Sequence, residues 1–139
     1  MAKRVIALMG QPIQNEDAAA AEAITPGMLV TLNGSGLVIK HATAGGNTPR
    51  NFAMERDEMG KTIDDAYAIG DTVKVGAFSG GMRVNALLAT ANNAGIGALL
   101  ESAGTGALRL LAAGTAVARA LEALNNVSGS NSRLRVEII

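Results

Sequence analysis

Cysteine and tryptophan are absent from this 139-residue chain, which has one histidine (His41) and three aromatic residues (Phe52, Tyr67 and Phe78). Without cysteine there are no disulfides and no thiolate metal ligands, and one histidine cannot form a multi-histidine metal site within the chain. So few aromatic side chains offer no platform for stacking nucleic-acid bases. We therefore expect a core of small and aliphatic side chains, which gains stability when more surface is buried against a partner.

Net charge is absent too, because twelve basic and twelve acidic residues balance and the basic residues are scattered along the chain. Proteins that bind nucleic acid normally carry a basic patch, so nucleic acid is not an expected partner. The apolar run at residues 5–9 is too short for the core of a secretory signal, and the Ala/Leu-rich region 94–124 contains charged residues and glycines. We expect a soluble protein that is neither exported nor bound to a membrane.

Glycine, by contrast, is abundant, and it divides residues 67–111 into short apolar runs. Such a pattern is typical of short strands joined by tight turns. It predicts a mainly β fold, a small single-domain barrel or sandwich over residues 26–139. Residues 1–25 lack this pattern and are predicted to form an extended N-terminal arm. A short helix capped by Asn15 and ending at Glu22 is an alternative for part of that arm.

Individual strands are predicted from turns and alternation. Residues 28–32 and 37–42 flank Asn33-Gly34-Ser35-Gly36, and the Asn-Gly pair is typical of hairpin turns that need positive φ. Strict alternation predicts half-buried strands over residues 72–78 and 132–139. Their apolar faces are predicted to consist of Val73, Val75 and Ala77 in the first strand and of Leu134, Val136 and Ile138 in the second.

The region 98–124 is ambiguous, because its composition favours helix while its glycines interrupt any helix. We predict short strands at residues 106–111 and 116–121. A brief helix over residues 117–124 competes with the second of these, and the sequence leaves the choice open. The charged stretch 55–65 is predicted to be an exposed loop.

Glycine motifs give no nucleotide site. Gly60-Lys61-Thr62 is similar to the end of a phosphate-binding loop, but Glu55 stands where that motif needs its first glycine. The glycine pairs at 95/97 and 104/106 lack the third glycine of a dinucleotide fingerprint and no βαβ unit surrounds them. We interpret these glycines as turn residues.

The ionisable residues form no recognisable catalytic pattern. His41 has no serine or carboxylate beside it in the sequence and is expected at the end of a strand. Lys40 and Lys74 are predicted within strands, not at the protruding hairpin tip that a lipoyl or biotinyl carrier needs. No catalytic, cofactor-binding or metal-binding residue is therefore predicted. A calcium loop in particular is not predicted, because its spacing is not matched by Asp57, Glu58, Asp64, Asp65 and Asp71.

Four stretches follow one another in a fixed order: YAIGDTV at 67–73, GIGALLESAGTG at 95–106, AVARALEA at 116–123 and RLRVE at 133–137. Their succession resembles tailed-bacteriophage capsid cement proteins, which are also called head decoration proteins. The resemblance extends over residues 24–139 and rests on ordered β motifs, not on catalytic residues.

The resemblance implies a non-enzymatic viral structural protein without a cofactor. It implies binding to the outer surface of the assembled head, where a homo-oligomer, most simply a trimer, holds neighbouring major capsid subunits together and stabilises the shell. The location would be the virion surface, after synthesis in the host cytoplasm.

An N-terminal arm of such a protein would reach a neighbouring chain by strand addition. The residues expected to contact the capsid or another subunit are Lys3, Arg4, Val5, Ile6 and Leu8.

Two alternatives remain open at this point. One is a ligand-binding β-barrel or enzyme subunit, in which loop 55–65 covers a pocket. The other is a different phage structural component, such as a fibre or baseplate protein.

Overall fold

Thirteen short β-strands and one 3-10 turn make up the regular structure of residues 4–139, the part of the chain described by this computed structural model. The mainly β fold is as predicted. The strands are β1 (Ala7–Met9), β2 (Ile13–Asn15), β3 (Val30–Leu32), β4 (Val38–Lys40), β5 (Asn51–Ala53), β6 (Val75–Ala77), β7 (Arg83–Leu88), β8 (Asn92–Ala94), β9 (Leu99–Ser102), β10 (Leu108–Leu110), β11 (Ala118–Ala120), β12 (Leu124–Asn126) and β13 (Ser132–Ile138); the 3-10 turn is Asp57–Met59.

Five strands close into a barrel in the order β7, β10, β9, β11 and β13, with β13 returning to β7. The β13–β7 pair is antiparallel and runs from Ser132 opposite Leu88 to Glu137 opposite Arg83. Only β10 and β7 are parallel neighbours, joined at Leu108 and Leu88. Closure removes the open edges that would otherwise invite aggregation. Of the two predicted architectures, the structure is the barrel.

Alternation along the longest strands builds the barrel core. Leu134, Val136 and Ile138 of β13 are buried, as predicted, and Val84 and Ala86 of β7 lie opposite the first two of them on the same face. Side chains that alternate between two faces in this way give one buried and one outer face per strand. The predicted strands at 106–111 and 116–121 contain β10 and β11, so the competing helix over 117–124 does not form.

Residues 4–78 form a second region, here called the N-terminal lobe. Its strands are the sheet β2-β6-β5 and the hairpin β3–β4, which touch through a single bridge between Leu29 and Phe52. Residues 18–21 close the opposite side, with Ala20 bridged to Val38 and Ala19 bridged to Thr72. The lobe therefore has its own small core. Its buried members are Ala20, Ile24, Met28, Val30, Val38, Ala53, Tyr67 and Val73, together with Leu87 and Ala107 from the barrel region.

The predicted hairpin is confirmed, but its turn works differently from the prediction. Asn33 does not have positive φ; its side-chain Oδ1 accepts the backbone N–H groups of Ser35 and Leu37 at 2.9 and 3.0 Å. The left-handed conformation falls on Gly36, with φ of 78°. The asparagine thus fixes the turn through its amide oxygen, and a glycine three residues later supplies the backbone freedom.

Residues 4–25 are extended, and they lie along the domain instead of standing free. β1 pairs with β7 and β2 pairs with β6, while Ile6 and Ile24 are fully buried. The alternative helix after Asn15 does not form, because Asn15 Oδ1 accepts the Asp17 N–H and the following residues form bridges. Burial of apolar side chains and strand pairing explain the docking.

Two local predictions need correction in part. The charged stretch 55–65 is mostly exposed, as predicted, but Glu55 and Ile63 within it are buried. In β6 the buried residue is Gly76, while Val75 and Ala77 are only half-buried. A Cβ at position 76 would lie 2.7 Å from Met54 Sδ, so the close approach needs glycine there. Alternation of apolar side chains does not reveal a buried position that has no side chain.

Candidate functional site

The five residues expected to contact a partner lie at the start of the chain. Lys3 lies outside the described residues. Arg4 forms an exposed ion pair with Asp64 at 3.8 Å, Val5 is about half exposed, and Leu8 is half-buried in β1. The structure therefore places Arg4, Val5 and Leu8 where another chain could reach them.

Ile6 is different, because it is part of this chain's own core. Its side chain is fully buried, its N–H donates to Glu55 Oε2 at 2.9 Å, and its carbonyl accepts the Asn85 N–H at 2.8 Å. Burial raises the pKa of Glu55, which the hydrogen bond from Ile6 only partly offsets. Ile6 is thus an anchor that holds the segment on β7, and it meets a partner only if the segment leaves this position.

Apolar side chains point outward on both sides of that anchor. Val5, Met9 and Ile13 are 48%, 46% and 79% exposed. Single exposed apolar residues are common on protein surfaces, but three within nine residues of one docked segment make a candidate contact strip. We call Val5, Met9 and Ile13 the N-terminal strip.

A buried Ser–His pair is the arrangement closest to catalytic chemistry, and no sequence pattern indicated it. His41 follows β4 and is buried, with Nδ1 2.6 Å from Ser102 Oγ on β9. Ser102 Oγ also accepts the Gly104 N–H at 3.1 Å. Burial lowers the pKa of His41, which favours the neutral ring. Ser102 is fully buried and lines neither the 80 Å³ nor the 460 Å³ cavity. Because His41 follows β4 and Ser102 ends β9, their contact connects the first half of the chain to the barrel.

Glu101, next to Ser102, is a fully buried carboxylate. Its Oε1 accepts the Ala112 N–H, and its Oε2 lies 3.4 Å from Arg109 Nη2. The hydrogen bond from Ala112 is the main cause that lowers the pKa of Glu101, and Arg109 adds to it. The carboxylate therefore fixes the loop after β10, a structural task.

A small apolar cavity opens in the N-terminal lobe where β3 separates from β5. Its volume is about 80 Å³, and we call it the mouth cavity. It has an apolar lining with a polar rim. The lining consists of Ala18, Val30, Leu32, Val38, Val73 and Val75, and the rim of Asn15, Asp17, Thr31 and Asn51.

A larger cleft of about 460 Å³ lies between the 3-10 turn and residues 65–72. Arg56 crosses it, donating to the Thr72 carbonyl at 2.5 Å and to Glu16 at 3.1 Å, with its guanidinium 5.8 Å from the centre of the Tyr67 ring. Lys61 and Met59 complete one wall, and Asp65 and Asp71 the other. Charges of both signs line this cleft.

The other residues singled out from the sequence have structural partners. Lys74, just before β6, forms ion pairs with Asp57 and Glu58 at 3.4 and 3.3 Å. Asp65 Oδ2 accepts the Thr62 N–H, so the Gly-Lys-Thr motif lies in a side-chain-capped turn. Within the described part of the chain, no group of three or more potential ligands is arranged to hold a metal ion.

Comparison with known proteins gives no assignment: no family model matches the chain, and no curated protein is significantly similar to it. Across residues 4–139, no helix has the length and apolar character needed to cross a membrane.

Proposed function

We propose that this chain is a non-enzymatic decoration, or cement, protein of a tailed-bacteriophage head. In this proposal a small homo-oligomer, most simply a trimer, binds the outer surface of the assembled shell and bridges neighbouring major capsid subunits. The protein would be made in the host cytoplasm and carried on the virion.

The N-terminal strip is the observation that carries this proposal. Its three side chains lie on a segment held by the Ile6 anchor and by strand pairing, so they are presented to solvent by a docked backbone. Preorganised apolar groups lose little conformational entropy on binding, which favours a surface made for contact. The resemblance described above supplies the class of partner.

Stabilisation by such a protein follows from mass action. A ligand that binds only the assembled shell lowers the free energy of that state in proportion to the logarithm of its concentration relative to Kd. Many copies on one head multiply the effect, and no reactive group is needed. The buried Ser–His pair and the charge-compensated carboxylates fit a role in which side chains hold the fold together.

Binding to phage heads tests the proposal directly. Purified protein is mixed with expanded, DNA-filled heads and with unexpanded heads, and bound protein is measured by sedimentation alongside the temperature at which the heads rupture. Saturable binding to expanded heads with a raised rupture temperature is expected. Absence of binding to every head form would refute the proposal.

Point substitutions locate the contact better than truncation does, because deleting residues 1–14 would also remove buried Ile6 and destabilise the fold. Met9→Ser and Ile13→Ser are expected to lower head occupancy while leaving the melting temperature nearly unchanged. Val127→Ser is the matched control, since Val127 is 81% exposed and lies elsewhere on the surface. Equal occupancy for all three variants would remove the N-terminal strip as the contact.

A second candidate, ligand binding, is favoured by the 460 Å³ cleft, whose volume lies in the range of small-molecule sites. Native mass spectrometry of the purified protein tests it. A retained small molecule that is lost in the Arg56→Met variant would support this candidate, and a mass equal to the bare chain would count against it.

A further inference from the structure

The mouth cavity exists because two neighbouring strands part from each other. β3 and β5 are bridged between Leu29 and Phe52, and over the described residues the bridge is not followed by a second one. Beyond it lies the cavity, which four valine side chains line. Apolar concave sites with a few polar groups at the opening are typical ligand-binding sites.

An open strand edge lies beside this cavity. In the described sheets β3 pairs with β4 alone. Val38, the residue opposite Leu32, directs its N–H to the Ala19 carbonyl at 2.8 Å and its carbonyl to the Ala21 N–H at 2.9 Å. Peptide groups in an antiparallel pair alternate in direction, so Leu32 also directs its N–H and C=O away from β4. They point to the side of the cavity.

The rim carries charge of one sign. Asp17 is the only charged side chain among the residues that line the mouth cavity. No cation in residues 4–139 lies within ion-pair distance of it. A ligand seated in the cavity therefore meets an acidic group at the opening.

We propose that the mouth cavity binds an extended segment of another protein, which pairs with the edge of β3 at Leu32. One aliphatic side chain of that segment fills the cavity, and a lysine or arginine beside it pairs with Asp17. The cavity is about 80 Å³, below the roughly 150 Å³ that holds a benzene ring, so an aliphatic group fits and an aromatic one does not. Strand addition with a side-chain pocket is a known mode of peptide recognition.

This inference goes beyond the proposed function, because it specifies the chemistry of the bound segment whatever partner carries it. The two sites are neighbours, because Ile13 of the N-terminal strip and Asn15 of the cavity rim both belong to β2, but no residue of the strip lines the cavity. Its test needs no phage heads, so the two proposals fail or succeed separately.

A displayed library of random heptapeptides, panned on the full-length protein, is the probe. Selected sequences are expected to contain an aliphatic residue next to lysine or arginine. Synthetic versions are titrated against wild type and three variants by fluorescence anisotropy, and amide exchange at Leu32 is followed by NMR. Peptide binding is expected to slow exchange of the Leu32 N–H.

The three variants test separately the contributions of the cavity, of the N–H at the edge of β3 and of the Leu32 side chain. Ala18→Leu places a larger side chain at the cavity wall and is expected to weaken binding at least about tenfold, a loss of about 1.4 kcal/mol. Leu32→Pro removes the outward N–H but keeps the bonds to β4, since Leu32 does not use its N–H there. It is expected to weaken binding about three- to tenfold. Leu32→Ala, which keeps the N–H but trims a side chain of the lining, is the reference for Leu32→Pro, and Leu32→Pro should bind about three- to tenfold more weakly than it.

Melting temperatures show whether each variant folds, and Leu32→Pro with the exchange measurement decides the question if Ala18→Leu does not fold. The proposal is overturned if no peptide is selected, or if selected peptides bind the folded variants as tightly as wild type. Self-association that depends on Leu32, seen by sedimentation equilibrium, would also overturn it by making a second copy the occupant.

Discussion

The barrel and the N-terminal lobe achieve stability in different ways. The barrel is a closed ring in which β7 and β13 alone share six residue pairs. Side chains that alternate along those strands form part of its core, together with others from the lobe such as Phe52 and Phe78. Every strand of the lobe's sheet and hairpin has three residues and pairs over that short length, and the sheet and the hairpin are joined by the single Leu29–Phe52 bridge. Apolar alternation thus specifies much of the barrel, whereas the lobe combines a smaller apolar core with short pairings and individual polar contacts, and the two regions should respond differently to substitution.

Arg133 shows how the two regions are joined. It lies on the outer face of β13, yet it is partly buried by the lobe, donating to the Pro26 carbonyl at 2.5 Å and to the Ile63 carbonyl at 2.6 Å. Burial lowers the pKa of Arg133 below its ordinary value. One barrel side chain therefore holds two loops of the lobe through their backbones.

The largest effect is expected from core truncation, which contrasts the regions directly. Leu134→Ala in the barrel and Ile24→Ala in the lobe each remove a fully buried side chain and should cost about 2–5 kcal/mol of unfolding free energy in urea. Leu134→Ala should lower amide protection throughout the molecule, and Ile24→Ala chiefly in the lobe. Identical patterns of hydrogen exchange in the two variants would show that the regions unfold as one unit.

Breaking the connection between the regions comes next. Arg133→Met leaves the carbonyls of Pro26 and Ile63 without their donors, and a loss of about 1–3 kcal/mol is expected. Exchange at lobe amides such as Ala53 should rise more than exchange at Gly81 in the barrel region. Arg135→Met, which breaks only the surface pair with Glu122, is the control and should change stability by about 1 kcal/mol or less. Equal loss in both variants would contradict the role given to Arg133.

The two buried glutamates should give opposite responses to pH. The folded-state pKa of Glu101 is lowered. Its ionisation therefore contributes fully to the free energy of unfolding above the ordinary pKa of 4.5, and this contribution is lost as pH falls through the folded-state pKa. The pKa of Glu55 is raised, so its contribution is full below 4.5 and is lost as pH rises through the raised value.

Stability measured in urea from pH 3 to 7 tests these signs. Glu101→Gln should flatten the decline at the acid end of the wild-type curve, and Glu55→Gln should flatten a decline on the other side of pH 4.5. Both substitutions retain an oxygen that accepts a backbone N–H. Glu122→Gln, on the surface, is the control, and two curves that change at the same end would show that the assignment is wrong.

The smallest effect concerns one turn of the lobe. Gly36→Ala forces an alanine into left-handed φ and should cost about 1–2 kcal/mol, while Gly34→Ala, with open space and no positive φ, should be neutral or stabilise by up to about 1 kcal/mol. Thermal unfolding of both variants checks this. A larger loss of stability in Gly34→Ala than in Gly36→Ala would indicate that the turn has its positive φ at the Asn-Gly pair, as the sequence predicted.

Much of the barrel could be predicted from the sequence because apolar residues recur at regular intervals along its strands. The apolar positions of β13 and the short strands β10 and β11 are visible in the alternation and the glycine spacing, as is the hairpin β3–β4. Gly76 is buried without a side chain, and Ile6 is buried within a segment that has no clear period. Neither could be recognised before its neighbours were known.

The candidate sites were harder to predict, for a related reason. His41 and Ser102 are 61 residues apart and meet only because β4 ends beside β9. The mouth cavity forms where β3 and β5 separate, a property of the pair that neither strand shows alone. Of the N-terminal strip, only Val5 was predicted from the sequence. The exposure of Met9 and Ile13 depends on which face of the docked segment Ile6 occupies.

The order in which the barrel closes has a consequence for biosynthesis. β13 pairs with both β7 and β11, so a nascent chain that has not yet reached residue 132 exposes two unpaired strand edges. Such edges pair readily with those of other chains. On a polysome, neighbouring nascent chains would therefore be held in an association-prone state until β13 is made, and chaperones that shield strand edges should matter most during that interval.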